Sequence, residues 1–313
     1  MINVEKEIGG KLLTLETGKI ARQSAGSVIL TYGETVLLIA VNAAKEARED
    51  VDFFPLQVEY REKHYASGKI PGGFFKREAR PTEGEVLTSR LTDRPIRPLF
   101  PKSFRNETQV IITVLQSDGE NISDTWAGVG ASAALLVSNI PWNGPIATVR
   151  VGMIGMEFIF NPTREQLSDC LFEMVVSGNK ENIVMVEGEA NEVKEEIIID
   201  ALKFAHDQIL DIIQVQEELA NVFGAKKLEE PVLSKNLDLE KSVFDILGDQ
   251  VDKIVRIVDK VERNDQKTAL TANILEELEE KFPEGEKDIK NFIDVSFKAV
   301  SYTHLTLPTI RTV

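Results

Sequence analysis

The 313-residue sequence predicts a two-layer α/β core, with a mixed sheet and packed helices, followed by an all-α domain. Short apolar runs separated by turn residues fill most of the first 190 residues and are typical of strands. The segment from Trp126 to Val137 is small and apolar all round, which predicts a buried helix. From about Asn191 the apolar residues recur at helical spacing.

Nine segments predict the strands of the core. The run SVILTYGETVLLIAV is apolar on both arms of a turn at Tyr32-Gly33-Glu34, so at least one strand is buried on both faces. All nine are expected to belong to one mixed sheet. They are Leu12–Leu15, Ser27–Thr31, Thr35–Val41, Pro55–Tyr60, Gln109–Leu115, Ile146–Met153, Glu157–Phe160, Leu171–Val176 and Asn182–Val186.

The helical region predicts the domain boundaries. Apolar residues from Val193 to Val222 form one long stripe, and Gly224 marks its end. We place the core at residues 1–190, with its last helix running on to about 224, and an all-α linker domain at 225–300. Residues 301–313 carry no carboxylate side chain and no helical stripe, so we interpret them as a non-native tail.

Composition narrows the class of protein. The start MINVEKEIGG lacks the apolar stretch of a signal peptide, and no apolar run is long enough to span a bilayer. We therefore expect a soluble, cytoplasmic protein without a membrane partner. Cys170 is the single cysteine, which rules out an internal disulfide and offers no metal cluster.

The basic segment, from Arg61 to Arg105, reverses the charge of the chain. It has eleven Lys and Arg against five Asp and Glu, a balance of +6 in a chain of net charge −15. A polyanion would be attracted here and repelled elsewhere.

An aromatic pair lies inside the basic segment. Phe74 and Phe75 follow two glycines and precede Lys76, Arg77 and Arg80. Single-stranded nucleic acid needs this combination, because bases stack on rings while cations hold phosphates. The alternative, that both rings pack into the core and anchor the chain there, stays open.

A helix is predicted to begin after Thr82. Arg90 and Arg94 then share one face, whereas Pro95 is expected to end or kink the helix before Arg97. Two arginines on one face favour an anion site over a stripe paired with neighbouring carboxylates. The residues expected to face inward are Val86, Leu87 and Leu91.

The motif GKIPGGFFKREARP, followed by LTSRLTDRPIRPLFP, resembles the first RNase PH-like core of the bacterial polynucleotide phosphorylase family. The likeness extends from LETGKIARQSAG through DFFPLQVEYREKHYASGKIPGG to GASAALLVSNIPWNGPI. One departure is Ala79, where the family is expected to have glycine.

The resemblance implies a 3′-to-5′ exoribonuclease that uses phosphate as co-substrate and magnesium as cofactor. It implies a homotrimer, with RNA-degradation complexes as partners, acting on single-stranded RNA. Phe74, Phe75, Lys76 and Arg77 would line a central channel. The arginines implied to guide the strand onwards are Arg80, Arg90, Arg94 and Arg97.

The same resemblance predicts no catalytic or metal-binding residue in this chain. The family's second core, which would bind magnesium and is expected to be missing here, supplies a serine pair and an Asp-x-Lys motif. At the matching positions stand Ser123-Asp124-Thr125 and Glu173-Met174-Val175. Asp124 would repel phosphate, and Val175 replaces the lysine.

Two other hypotheses stay open. The chain could be a non-catalytic RNA-binding ring subunit of an exosome-type assembly, although such subunits lack a helical region like the one after Asn191. It could also be a hydrolase or transferase that uses Asp118 or Asp124, although the expected serine pair and lysine are missing.

Overall fold

The computed structural model describes residues 2–48, 53–72, 78, 80–229, 237–279, 281–283 and 285–310. The chain divides into two compact units. The first unit is Met1–Pro231 and the second unit is Val232–Val313.

Six strands form the first sheet of the first unit. They are β1 Ile2–Ile8, β2 Lys11–Thr17, β3 Gly26–Tyr32, β4 Thr35–Ala43, β5 Leu56–Glu62 and β6 Thr108–Gln116. Their spatial order is β1-β2-β3-β4-β6-β5, and β5 and β6 run parallel while the other neighbours are antiparallel. The predicted mixed sheet is confirmed, and β1 is a strand that the sequence analysis missed.

A second, fully antiparallel sheet follows. Its strands are β7 Ala147–Ile154, β8 Glu157–Phe160, β9 Phe172–Gly178 and β10 Ile183–Ala190, in the order β10-β9-β7-β8. The expectation that these strands join the first sheet was wrong. Apolar patterning identifies a strand, but its partner depends on which helix separates the strands in space.

Helix α2, Ser123–Val137, is that helix. Gly128 and Gly130 are two residues apart and therefore about 200° apart around the helix axis. A Cβ on Gly128 would lie 2.7 Å from Thr148 Oγ1 in β7, and one on Gly130 would lie 2.8 Å from Ile39 Cγ1 in β4. The predicted buried helix is confirmed, and its glycines allow one sheet to approach each face.

Three more helices belong to the first unit: α1 Glu83–Ile96, α3 Arg164–Leu167 and α4 Glu195–Phe223. Helix α1 starts with the predicted Thr82 cap, whose hydroxyl accepts from the Glu85 N–H. Helix α4 ends at Gly224, which is left-handed with φ 66°. After α4, Lys227 Nζ donates to the carbonyls of Leu135 at 2.6 Å and Ser138 at 2.9 Å, at the C-terminal end of α2.

The second unit is all-α, as predicted. Its helices are α5 Leu237–Leu247, α6 Gln250–Val255, α7 Lys260–Glu279 and α8 Glu286–Ile310. They share a hydrophobic core that includes Val243, Leu247, Ile274, Ile289 and Ile293. Helix α8 continues through residues 301–310, although these residues have no helical stripe. The domain bounds and the non-native origin of residues 301–313 stay predictions. Among the described residues, no helix is long and apolar enough to cross a membrane.

Candidate nucleic-acid interface

The predicted RNA-binding residues divide into two groups. One group lies within the described residues: Arg80, Arg90, Arg94 and Arg97. The other lies outside them: Phe74, Phe75, Lys76 and Arg77.

Helix α1 presents two of the arginines to solvent. Arg94 Nη1 lies 2.5 Å from Glu187 Oε2 in β10, and both side chains are about half exposed, so water and salt screen the pair. Arg90 lines an open groove of about 400 Å³ between β5 and α1, together with Arg61 of β5. Arg61 is a groove residue that the sequence analysis counted only as part of the basic segment.

The predicted orientation of two apolar residues on α1 was wrong. Val86 and Leu87 were expected to face inward, yet they are 43% and 55% exposed. The buried positions of the helix are instead Glu85, Thr92, Pro95 and Ile96. Helix α1 packs on the edge of β5, and Glu85 takes an inner position where its carboxylate accepts a backbone N–H of that strand.

Side chains of α1 cap the outer edge of β5. The N–H groups of Tyr60 and Glu62 donate to Ser89 Oγ at 3.0 Å and to Glu85 Oε1 at 2.8 Å. Burial alone would raise the pKa of Glu85, but bonds from the Thr82 and Glu62 N–H groups outweigh it and hold that pKa below its ordinary value. These bonds fix the face on which Arg90 lies.

Arg97 belongs to the same cap. Its Nε and Nη2 donate to the two carboxylate oxygens of Asp93 at 3.0 and 2.7 Å. Nη1 also donates to the Phe54 carbonyl at 3.0 Å, and Nη2 to the Leu56 carbonyl at 3.1 Å. Four of the five N–H donors of Arg97 are engaged within the chain, so it has fewer donors left for a phosphate than Arg90 has. Its role in guiding RNA stays a prediction.

The two positions matched to a phosphate site lie together in space. Arg150 in β7 donates from Nη2 to Asp124 Oδ2 and from Nη1 to Glu173 Oε1, the latter at 3.1 Å. The Arg150, Asp124 and Glu173 side chains are 12%, 18% and 31% exposed. We call them the Arg150 triad. Sequence reasoning missed Arg150, although a single cation in the otherwise apolar strand ATVRVGMI required buried partners.

Neighbouring polar groups are also engaged within the chain. Ser123 Oγ lies 2.6 Å from Tyr60 Oη, and burial raises the pKa of that tyrosine. Asp118 Oδ1 accepts from the N–H groups of Glu120 at 2.9 Å and Asn121 at 2.8 Å. Asp118 therefore closes a local turn. The hypothesis of a hydrolase or transferase that uses Asp118 or Asp124 stays untested.

Comparison with known proteins decides the family. The family models described as 3′ exoribonuclease family, domain 1, and 3′ exoribonuclease family, domain 2, match residues 10–141 and 144–208. The chain belongs to the 3′ exoribonuclease family.

Curated relatives of this 3′ exoribonuclease family member carry the name polyribonucleotide nucleotidyltransferase. Those of Geotalea uraniireducens and Heliobacterium modesticaldum are 47% and 46% identical over 93% and 94% of this chain. That of Thermomicrobium roseum is 49% identical over 86% of it. The chain spans only 42%, 42% and 34% of the length of these three proteins.

A magnesium site does not fit the residues that the structure describes in this family member. Within the ranges that the structure describes, no group of three or more His, Cys, Asp or Glu side chains could hold a metal ion. Asp124 and Glu173 are the carboxylates at the matched positions, and both are already bound by Arg150.

Proposed function

We propose that this chain is the part of a phosphorolytic 3′-to-5′ exoribonuclease that binds and guides single-stranded RNA. Its own core would carry no phosphorolytic site. The observation that supports the absence of a phosphorolytic site is the Arg150 triad, because it joins the two positions matched to a phosphate site and engages both carboxylates. A phosphate ion would have to break this network before it could bind.

The basic segment supports the RNA-binding role. Arg90 and Arg94 are exposed on a helix whose position is fixed by its bonds to β5. A surface of this kind holds the phosphate backbone, while the rings of Phe74 and Phe75 would stack on bases for about 1–3 kcal/mol each.

The remaining properties of the whole protein are proposals that rest on family membership. We propose phosphate as co-substrate and magnesium as cofactor, acting in the part of the relatives that this chain does not match. Magnesium would there neutralise the charge of the transferring group. We also propose a cytoplasmic homotrimer with partners in an RNA-degradation complex, since threefold symmetry would present three basic segments to one strand.

A turnover assay on the 313-residue chain tests the missing phosphorolytic site. The chain is mixed with poly(A), phosphate and magnesium, and ADP is measured against a control without protein. We expect no release above that control, because losing even one preorganised donor can cost about 10²–10³ in rate. Phosphate-dependent ADP release that survives repurification and disappears in Asp124→Asn would overturn the proposal.

RNA binding by the same chain is tested through its dependence on salt. Replacing Arg80 or Arg90 by alanine should flatten the slope of log affinity against log salt by about 0.7 per lost phosphate contact. Lys203→Ala, an exposed cation on α4 outside the basic segment, serves as the matched control and should leave the slope unchanged. Unchanged slopes in both arginine variants would contradict a contact between these arginines and the RNA phosphates.

A further inference from the structure

The open groove between β5 and α1 combines apolar surface with positive charge. On its α1 wall, Val86 and Arg90 are four residues apart and therefore neighbours, one turn apart on the helix. On its β5 wall, Leu56 and Val58 are apolar, and Arg61 lies near the end of the strand. A groove of about 400 Å³ thus has apolar side chains and guanidinium groups on both walls.

Hydrogen bonds between the two walls show which residues lie opposite each other. The Glu62 N–H donates to Glu85 Oε1 in the first turn of α1. The Leu56 carbonyl, at the start of β5, accepts from Arg97 just after α1. The strand and the helix therefore run in opposite directions, and Arg61 lies beside the first turns of α1. Arg97 occupies the opposite end of the groove.

Most polar side chains on the walls already have partners within the chain. The polar lining residues that are engaged in this way are Gln57, Glu59, Tyr60, Ser89, Asp93 and Arg97. Among the residues that the structure describes, Arg61 and Arg90 have no hydrogen-bond or ion-pair partner. A ligand at the Arg61 end of the groove therefore meets two free guanidinium groups and the apolar side chain of Val86.

We infer that the Arg61 end of the groove is a nucleotide subsite: Arg61 and Arg90 bind a phosphate of the RNA strand, and Val86 packs against the adjoining base. The inference rests on the proposed RNA-binding function and adds Arg61 and Val86 to it. A nucleotide matches this surface because it joins a flat ring to a negative charge. Every base has a ring face and every nucleotide a phosphate, so the subsite should accept all four bases.

Binding of a fluorescent 20-nucleotide oligo(A) to the 313-residue chain tests both contacts. Arg61→Ala should weaken binding about tenfold, as expected for losing one charge-assisted phosphate contact. Val86→Ser should weaken it about fivefold, which corresponds to about 40 Å² of apolar surface no longer buried. Leu87→Ser is the matched control and should bind like wild type, because Leu87 is 55% exposed on the same helix but does not line the groove.

The outcomes separate this inference from the function on which it rests. Wild-type binding by either Arg61→Ala or Val86→Ser would overturn the subsite, since it needs both a phosphate contact and a base contact. If the Arg80→Ala and Arg90→Ala variants also bind like wild type, the proposed function fails with it. A penalty seen with oligo(A) but not with oligo(U) or oligo(C) would refute the tolerance of the subsite for any base.

A chemical footprint on the unaltered chain needs no variant to fold. Phenylglyoxal modifies accessible guanidinium groups, and mass spectrometry reports each arginine separately. Bound oligo(A) should slow the modification of Arg61 and Arg90, but not that of Arg48, whose side chain is 71% exposed and does not line the groove. Unchanged reactivity of Arg61 would refute the contact. Free 5′-AMP at the same nucleotide concentration should protect Arg61 less, because a strand adds contacts along the basic segment. Equal protection by AMP would overturn a strand subsite in favour of a site for free nucleotides.

Discussion

Removing the arginine of the Arg150 triad should destabilise the first unit by about 3 kcal/mol. Arg150→Met keeps most of the apolar stem but leaves Asp124 and Glu173 without their partner. Breaking a buried ion pair from one side costs about 3–5 kcal/mol, and the partial exposure of both carboxylates places this site at the lower end. Neutralising them in Arg150→Met/Asp124→Asn/Glu173→Gln should restore at least half of the loss, because no charge is then left unpaired.

Urea unfolding followed by tryptophan fluorescence measures this effect. The chain has two tryptophans, Trp126 and Trp142, and both lie in the first unit. The signal therefore reports that unit separately from the second one. With a slope of about 3 kcal/mol per molar urea, the midpoint of Arg150→Met should fall by about 1 M.

Two outcomes would refute the reasoning. A midpoint shift below about 0.3 M would mean that the guanidinium contributes little and that water already solvates the carboxylates. A triple variant as unstable as Arg150→Met would mean that the loss comes from packing around the arginine stem rather than from unpaired charge.

Two other predictions follow from contacts described above, and a third follows from the role that the family resemblance implies for the aromatic pair. Burial lowers the pKa of Lys227 to about 8, below the value of about 10.4 for an unfolded lysine, so the folded state binds fewer protons between these values. Stability relative to Lys227→Met should therefore rise from pH 8 to pH 10 in urea titrations, and a constant or falling difference would contradict it. Glu187→Gln should free Arg94 and tighten RNA binding up to about threefold at low salt, an advantage that should vanish at high salt. In the whole enzyme, Phe74→Ala with Phe75→Ala should slow phosphorolysis of long RNA more than that of very short oligonucleotides, and equal losses would exclude a channel role.

Local patterns predicted most elements of the first unit, because period and turn chemistry are properties of consecutive residues. The strand β1 was missed because three consecutive charged residues separate Val4 from Ile8, and these two are the only buried apolar side chains of the strand. The division into two sheets depends on contacts between distant residues, such as Gly128 with Thr148, that no local period contains.

Contacts between distant residues also limited what the sequence could predict about the candidate site. The sequence indicates the basic segment, the aromatic pair and the carboxylates at the matched positions. It does not indicate that Arg150 joins Asp124 to Glu173, since these three residues are separated by 26 and 23 positions along the chain. It also favours an inward Leu87, because hydrophobic periodicity cannot register that α1 covers a strand edge with polar groups.

The capped edge of β5 restricts how other polypeptides can attach to the first unit. An extended peptide adds to a sheet only where backbone N–H and C=O groups are unpaired. On β5, the side chains of Glu85, Ser89 and Arg97 already occupy such groups. Strand addition there would require α1 to detach, and with it the face that carries Arg90. The other outer strands of the two sheets are β1, β8 and β10, and a partner that recruits this unit by β-augmentation would therefore have to use one of them.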